Sequence, residues 1–274
     1  MSWRHFLQSK TLAGHLWREF LVRYRFKYVL PRITSTVLDG VKLDLSLLSL
    51  KARNRLLMGI YEAHEKEMCR EFLTATDRVL EIGGAIGFIG LFCQTRLGIQ
   101  QYFVFEANPE TFRILQANYA LNGIKPRAWN LALASSEETL ALDVASDFWE
   151  NSILPGNASG QTRPVLGAPL KGLLQRVAEK INVLIVDVEG AEQFINLDEI
   201  PPEVDKIIIE LHPQVLGPTT TYDLIAGLVA RGFYVAKEES ATFVFLRRSP
   251  LPGWSKTSVR PLESRNAPSA LQPA

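Results

Sequence analysis

Asp187 and Glu189 follow the apolar run Val183-Leu184-Ile185-Val186, and Gly190, Ala191 and a third acid, Glu192, come directly after them. A continuous Val/Ile/Leu run suits a strand buried on both faces of a parallel sheet, and such sheets bind ligands beyond the C-terminal ends of their strands. Residues two apart on a strand share a face, so Asp187 and Glu189 are expected on one side. Carboxylates paired there can exchange protons with a substrate; the competing reading is that they only cap the helix that follows. A second apolar run, Ile207-Ile208-Ile209, ends in Glu210 and His212. In a doubly wound order the two strands are neighbours about 4.8 Å apart, so four ionisable groups meet at one sheet edge. His212 titrates nearest neutral pH and is the preferred general base, with Asp187 or Glu189 orienting it or acting directly. The competing reading makes His212 a loop residue capping its strand before Pro213. Three carboxylates and an imidazole are acceptable metal ligands, but no short ligand spacing singles out a metal, and none is assigned.

A glycine cluster, Glu81-Ile-Gly-Gly-Ala-Ile-Gly87, follows a predicted strand and opens a predicted helix. Gly83, Gly84 and Gly87 would let the backbone approach a ligand that a β-carbon would block. The spacing G-x-G-x-x-G of a dinucleotide loop is absent. Glu81, an acid ending the strand before the glycines, is instead what an S-adenosyl-L-methionine site presents. Next, Tyr102-Phe-Val-Phe-Glu106 ends in an acid about 20 residues past the glycines, where a carboxylate can accept hydrogen bonds from both ribose hydroxyls. Asn108 and Pro109 then start a helix as N-cap and first-turn residue.

Strands and helices alternate from Asp77 onward: RVLEIGG, a helix through Thr95, QYFVFEA, a helix from Pro109 to Asn122, then PRAWNLALA as one strand. A hairpin-like insertion, TLALDVASDFWENSILPGN, precedes a helix near Leu170 to Glu179. The order resumes with INVLIVDVEG, DKIIIELH, a helix from Tyr222 to Arg231, and FYVAKEESATFVFLRR, which reads as an edge hairpin. The fold class expected is α/β: a Rossmann-like, doubly wound, mostly parallel seven-stranded sheet with an antiparallel C-terminal hairpin. Upstream, VLDGVKLDL alternates around Asp39-Gly40 as a short hairpin would, and helical periodicity runs from Lys51 to Phe72.

The chain has 274 residues, 47% of them hydrophobic, and a formal net charge of +1, a balance that predicts no nucleic-acid footprint. Cys69 and Cys93 match no metal spacing and read as reduced, buried thiols, which points to a cytoplasmic protein. No apolar stretch reaches the roughly 18 residues a membrane span needs. Residues 1–36 carry Arg4, Lys10, Arg18, Arg23, Arg25, Lys27 and Arg32 against the single acid Glu19, with apolar residues at helical spacing. This basic amphipathic segment either packs on the catalytic domain or a homo-oligomeric partner, or lies peripherally on an anionic membrane surface. Residues 37–248 form one domain, and 249–274, rich in Pro and Ser, are expected to be disordered.

The order GIYEAHEKE, VLEIGGAIGFIGLF, FVFEANPETFRILQANYALNG, WNLALASS, LIVDVEGAE and IIIELHP resembles the FkbM-type S-adenosylmethionine-dependent methyltransferases over residues from about 55 to 248. The resemblance implies methyl transfer, usually to a hydroxyl oxygen, on a small molecule, sugar or glycolipid. It also implies that Gly83, Gly84 and Gly87 underlie the donor, that Glu106 holds its ribose, and that Tyr61, Glu62 and His64 lie near it. The family's loop commonly reads Asp-x-Gly-Ala-Asn-x-Gly; this chain has Glu81 for the Asp and Ala85 for the Asn. A lysine often found before the DVEG element is absent, with Leu184-Ile185-Val186 in its place.

The function expected is therefore an S-adenosylmethionine-dependent O-methyltransferase. Its catalytic residues are Asp187, Glu189 and His212, and its cofactor-binding residues are Glu62, Glu81, Gly83, Gly84, Gly87, Glu106 and Asn108. Phe148, Trp149, Asn151 and Ser152 of the insertion suit a sugar acceptor. The alternative is a non-catalytic binding or scaffolding protein that keeps the fold; protein or nucleic-acid methylation is disfavoured by the charge balance and by the lack of an Asn-Pro-Pro-Tyr-type element.

Overall fold

A computed structural model describes residue 21, residues 23–143 and residues 162–248. Most of the basic N-terminal segment, the four candidate acceptor residues Phe148, Trp149, Asn151 and Ser152, and the Pro-rich tail lie outside the described residues. The expected Asp39-Gly40 hairpin joins β1 (Ser35–Leu38) to β2 (Val41–Asp44). Asp39 and Gly40 both have positive φ, 48° and 82°, as a two-residue turn between right-twisted strands requires.

The periodic stretch after it is not one helix. α1 (Leu50–Leu57) starts on Ser49, whose Oγ accepts from the Ala52 amide, and α2 (Ala63–Phe72) follows a break at Met58–Glu62. Gly59 and Glu62 take positive φ in the break, which ends one helix and starts the other at a new angle. Arg53 of α1 is buried. Its guanidinium donates to the carbonyls of Leu30, Pro31, Ile33, Ser46 and Leu48, tying residues 30–33 to the domain.

The main sheet begins with β3 (Arg78–Ile82), α3 (Phe88–Arg96), β4 (Gln101–Glu106), α4 (Pro109–Leu121) and β5 (Arg127–Asn130). PRAWNLALA is two strands rather than one: after Leu131 the chain leaves the main sheet, and β6 (Ala132–Leu133) pairs with β8 (Thr162–Ala168). β8 pairs antiparallel with β7 (Glu138–Asp143), so the expected hairpin-like insertion has its base in a separate three-stranded sheet. After α5 (Leu170–Val177) come β9 (Val183–Val186), β10 (Lys206–Glu210), α6 (Pro213–Ala230), β11 (Phe233–Glu239) and β12 (Thr242–Arg247). α6 begins nine residues earlier than periodicity suggests, with Pro213 in its first turn, and is interrupted at Gly217 and Pro218.

The seven-stranded sheet has the order β11-β12-β10-β9-β3-β4-β5; β12 runs antiparallel to both neighbours, and the pairings from β10 to β5 are parallel. Both faces are covered. Val79, Val104, Ile185 and Ile208 face one layer, while Leu80, Phe105, Leu184 and Ile209 face the other. This is why the central strands read as unbroken apolar runs. Cys69 and Cys93 are free and buried, and although distant in sequence they meet: the Cys69 thiol is pushed up by a hydrogen bond with Cys93 and by burial. Among the described residues no helix is long and apolar enough to cross a membrane.

Candidate active site

A cavity of about 480 Å³ opens beyond the C-terminal ends of β3, β4, β9 and β10, where the strand order reverses between β3 and β9. Glu62, Gly83, Glu106, Asn108, Asp187, Glu189 and His212 all line it, as do Tyr61 and His64. Three other sequence candidates do not. Glu81 points to the opposite face of β3, 4% exposed, beneath Gly84 and Gly90. Burial, with the nearby Glu106 charge, raises its carboxyl to about 8, so it is a neutral acid in the core at pH 7.

Gly84 and Gly87 likewise serve packing. A β-carbon on Gly84 would lie 2.1 Å from Val104 Cγ1, and one on Gly87 would lie 3.0 Å from the Tyr119 ring. Gly83 faces the cavity, yet its β-carbon would strike protein first, 1.6 Å from the Asp187 carbonyl oxygen. These glycines therefore let β3, β4, β9 and α3 close on one another rather than giving way to a ligand.

Glu106 ends β4 as the sequence suggests. Its Oε2 accepts from the Ala85 amide at 2.8 Å and its Oε1 from the Asn108 amide at 2.7 Å, so one side chain joins the glycine loop to the start of α4. The Ala107 amide also acts on the carboxylate, and part of its acceptor capacity remains. Burial raises the carboxyl to about 7, against those amides, which lower it. Asn108 is occupied as the N-cap of α4, accepting from the Glu110 and Thr111 amides. Ala85 sits at φ 44°, a left-handed conformation that Asn tolerates better than Ala.

The acid pair is placed by a turn, not by strand alternation. β9 stops at Val186, and Glu189 (φ 49°) and Gly190 (φ 102°) are both left-handed before a short 3-10 turn at Ala191–Phe194. That turn buries Glu192 completely and sets its Oε1 2.6 Å from His212 Nδ1. The other ring nitrogen, Nε2, is 3.1 Å from Glu189 Oε2, 3.8 Å from Asp187 Oδ1 and 4.0 Å from Glu210 Oε1.

A carboxyl oxygen lies beside each ring nitrogen, an arrangement that favours the protonated imidazole. Despite burial, which lowers it, the hydrogen bonds to Glu189 and Glu192 raise the imidazole to about 11. His212 is thus a poor general base, contrary to the expectation from its ordinary pKa. Burial raises Asp187, with Glu210 and Glu189 adding to the effect, and burial brings Glu210 to about 7.

Glu65, within GIYEAHEKE but not singled out there, and Thr242, joined to it by a 2.6 Å hydrogen bond, also line the cavity. Glu65 lies three residues past Glu62 and so turns to the same side of the chain, a helical-spacing signal that the sequence did contain. Six carboxylates, Glu62, Glu65, Glu106, Asp187, Glu189 and Glu210, thus face the space, against Arg55, His64 and His212. Glu62 Oε2 and Asp187 Oδ1 are buried there without hydrogen-bond partners.

The strand order, with its antiparallel β12 inserted between β10 and β11, defines the class I methyltransferase fold. No family model matches the chain, and no curated protein matches it. Solved structures similar to it include a methyltransferase from Pyrococcus furiosus (11% identity, 67% of this chain, 81% of that one, TM-score 0.40). A precorrin-6y C5,15-methyltransferase from Geobacter metallireducens GS-15 is similar at 9% identity over 69% and 88% of the two chains, TM-score 0.42. The fibrillarin pre-rRNA processing protein of Methanococcus jannaschii is similar at 14% identity over 64% and 67%, TM-score 0.39. Similarity at this level defines neither a family nor an activity for the chain.

Proposed function

We propose that the protein is an S-adenosyl-L-methionine-dependent methyltransferase acting on a hydroxyl oxygen of a small molecule, sugar or glycolipid, in line with its FkbM-type motifs. The observation that carries this reading is Glu106: a carboxylate at the end of the second parallel strand, fixed by two backbone amides and still able to accept from a ligand's hydroxyls. The residues present fit the donor. A sulfonium and an ammonium are cationic, the cavity wall is predominantly acidic, and the buried Glu62 Oε2 lacks a partner.

Bound there, the donor supplies a methyl group already activated by positive sulfur. The protein's share is to orient the acceptor and exclude water. Glu106 holds the ribose and Glu62 takes the ammonium end. Asp187 and Glu189 hold the acceptor hydroxyl in line and receive its proton, an acid/base contribution of about 10²–10⁴-fold. His212 keeps Glu189 in place from below.

A methyl-transfer assay over a panel of glycans, lipids and metabolites, read by product mass, tests the reading. Products one methyl heavier, lost in Glu189→Gln, are expected; donor binding with no transfer to any hydroxyl compound would overturn it.

A further inference from the structure

The basic amphipathic segment enters the described structure at Leu21, and its helical turns run through Arg25–Val29 and Leu30–Arg32. Leu30 is fully buried, and the Arg53 guanidinium donates to the carbonyls of Leu30, Pro31 and Ile33, so the segment is fixed to the domain at its C-terminal end. The apolar residues before that anchor are not packed: Leu21, Tyr24, Tyr28 and Val29 are all exposed, and no residue of Arg25–Val29 is buried. Leu21, Tyr24 and Tyr28 have the three- and four-residue spacing of one helix face, and the two tyrosine rings lie 5.2 Å apart. The same guanidinium reaches the Ser46 carbonyl, so the next residue, Leu47, 77% exposed, stands beside the base of this face. Arg23, Arg25, Lys27 and Arg32 lie among these residues, and no acid occurs from Phe20 to Leu38.

We propose that this face is a docking surface for an anionic lipid bilayer, with the segment lying in the plane of the headgroups. Tyrosine rings suit that level, where one end of the ring meets apolar chains and the hydroxyl meets water. Cations flanking an exposed apolar stripe draw an amphipathic helix onto an anionic leaflet. A second copy of the chain fits the face poorly, because two-fold pairing would set the same four cations against one another with no acid in the stretch to offset them. Since the whole chain carries only +1, the excess of cations in residues 1–36 leaves the remainder net acidic. Attraction to anionic lipid therefore orients the protein with this face toward the surface. The proposal concerns the surface alone and is independent of the reaction that the cavity supports.

Flotation of the full chain with vesicles of mixed phosphatidylglycerol and phosphatidylcholine, and with vesicles of phosphatidylcholine alone, tests it. Binding to the anionic vesicles only is expected, and it should weaken as added salt screens the cations. The double variants Tyr24→Ser/Tyr28→Ser and Arg25→Glu/Lys27→Glu should each weaken that binding about tenfold or more. Tyr222→Ser, at a tyrosine 73% exposed on α6, should bind as the wild type does. None of the substituted side chains is buried, so each variant should melt as the wild type does; should one double variant fail to fold, the other decides. Light scattering of the lipid-free protein reports its oligomeric state. No binding to anionic vesicles, equal binding to both kinds, or binding that the folded double variants leave unchanged would overturn the surface. A dimer that Tyr24→Ser/Tyr28→Ser dissolves would also overturn it, giving the face to a second copy.

Discussion

A methyl group on Gly83 would have no room: its position lies 1.6 Å from the Asp187 carbonyl oxygen, and the residue's φ is +95°. Gly83→Ala should therefore destabilise the protein with no ligand present, by about 1–3 kcal/mol. A melting temperature unchanged from the wild type would return this glycine to a purely ligand-facing role. At Ala85 the strain runs the other way, and Ala85→Gly should raise stability by about 0.5–1 kcal/mol. Glu81 sets a pH dependence. Its ordinary value is 4.5 and its folded value about 8, so below pH 4.5 it is protonated in both states. As pH rises from 4.5 to about 8, the unfolded chain ionises while the fold resists, so stability falls across that window and levels off above it, where both states are ionised. Glu106, held at about 7, adds a smaller fall of the same sign. Glu81→Gln should flatten the decline in melting temperature between pH 5.5 and 8; a decline parallel to the wild type would show that Glu81 ionises as readily in the fold as in water.

Among the elements, Arg53 of α1 carries the largest single load, five carbonyls on both sides of the hairpin. Arg53→Ala leaves these acceptors without their donor and should cost about 2–4 kcal/mol in denaturant unfolding; a loss within about 0.5 kcal/mol would mean that water replaces it. The sheet strands and the Asp39-Gly40 turn were legible because burial on two faces and a positive-φ pair each leave a local pattern in composition. The break at Met58–Glu62 was not, since apolar spacing continues across it while the backbone changes direction. Nor was the departure of the chain at Leu131, because Trp129 and Leu133 alternate as if in one strand though they belong to two sheets. In the site, Glu106 and Asp187 were legible as acids ending buried strands. Glu81 was misplaced because alternation fixes only that it and Ile82 face opposite ways, not which of them faces the cavity. Glu192 reads in the sequence only as a third acid, and its contact with His212 leaves no sign there because a 3-10 turn, rather than a helix, turns it inward.

At the scale of the whole molecule, packing extends upstream of residue 37. Leu30 is fully buried and residues 30–33 lie under Arg53, so a chain shortened to begin at Thr36 should lose stability that one beginning at Arg23 retains. Equal melting temperatures for the two would place residues 23–35 outside the fold's cooperative unit. The larger claim is that a class I methyltransferase sheet gathers six carboxylates around one cavity to hold a cationic methyl donor. Calorimetric titration of the full chain with S-adenosyl-L-methionine tests it most directly. One binding site is expected, weakened by about 1–3 kcal/mol in a folded Glu106→Ala variant that has lost its hydrogen bonds to the ribose. No binding at millimolar ligand, or an affinity indifferent to Glu106, would contradict the account.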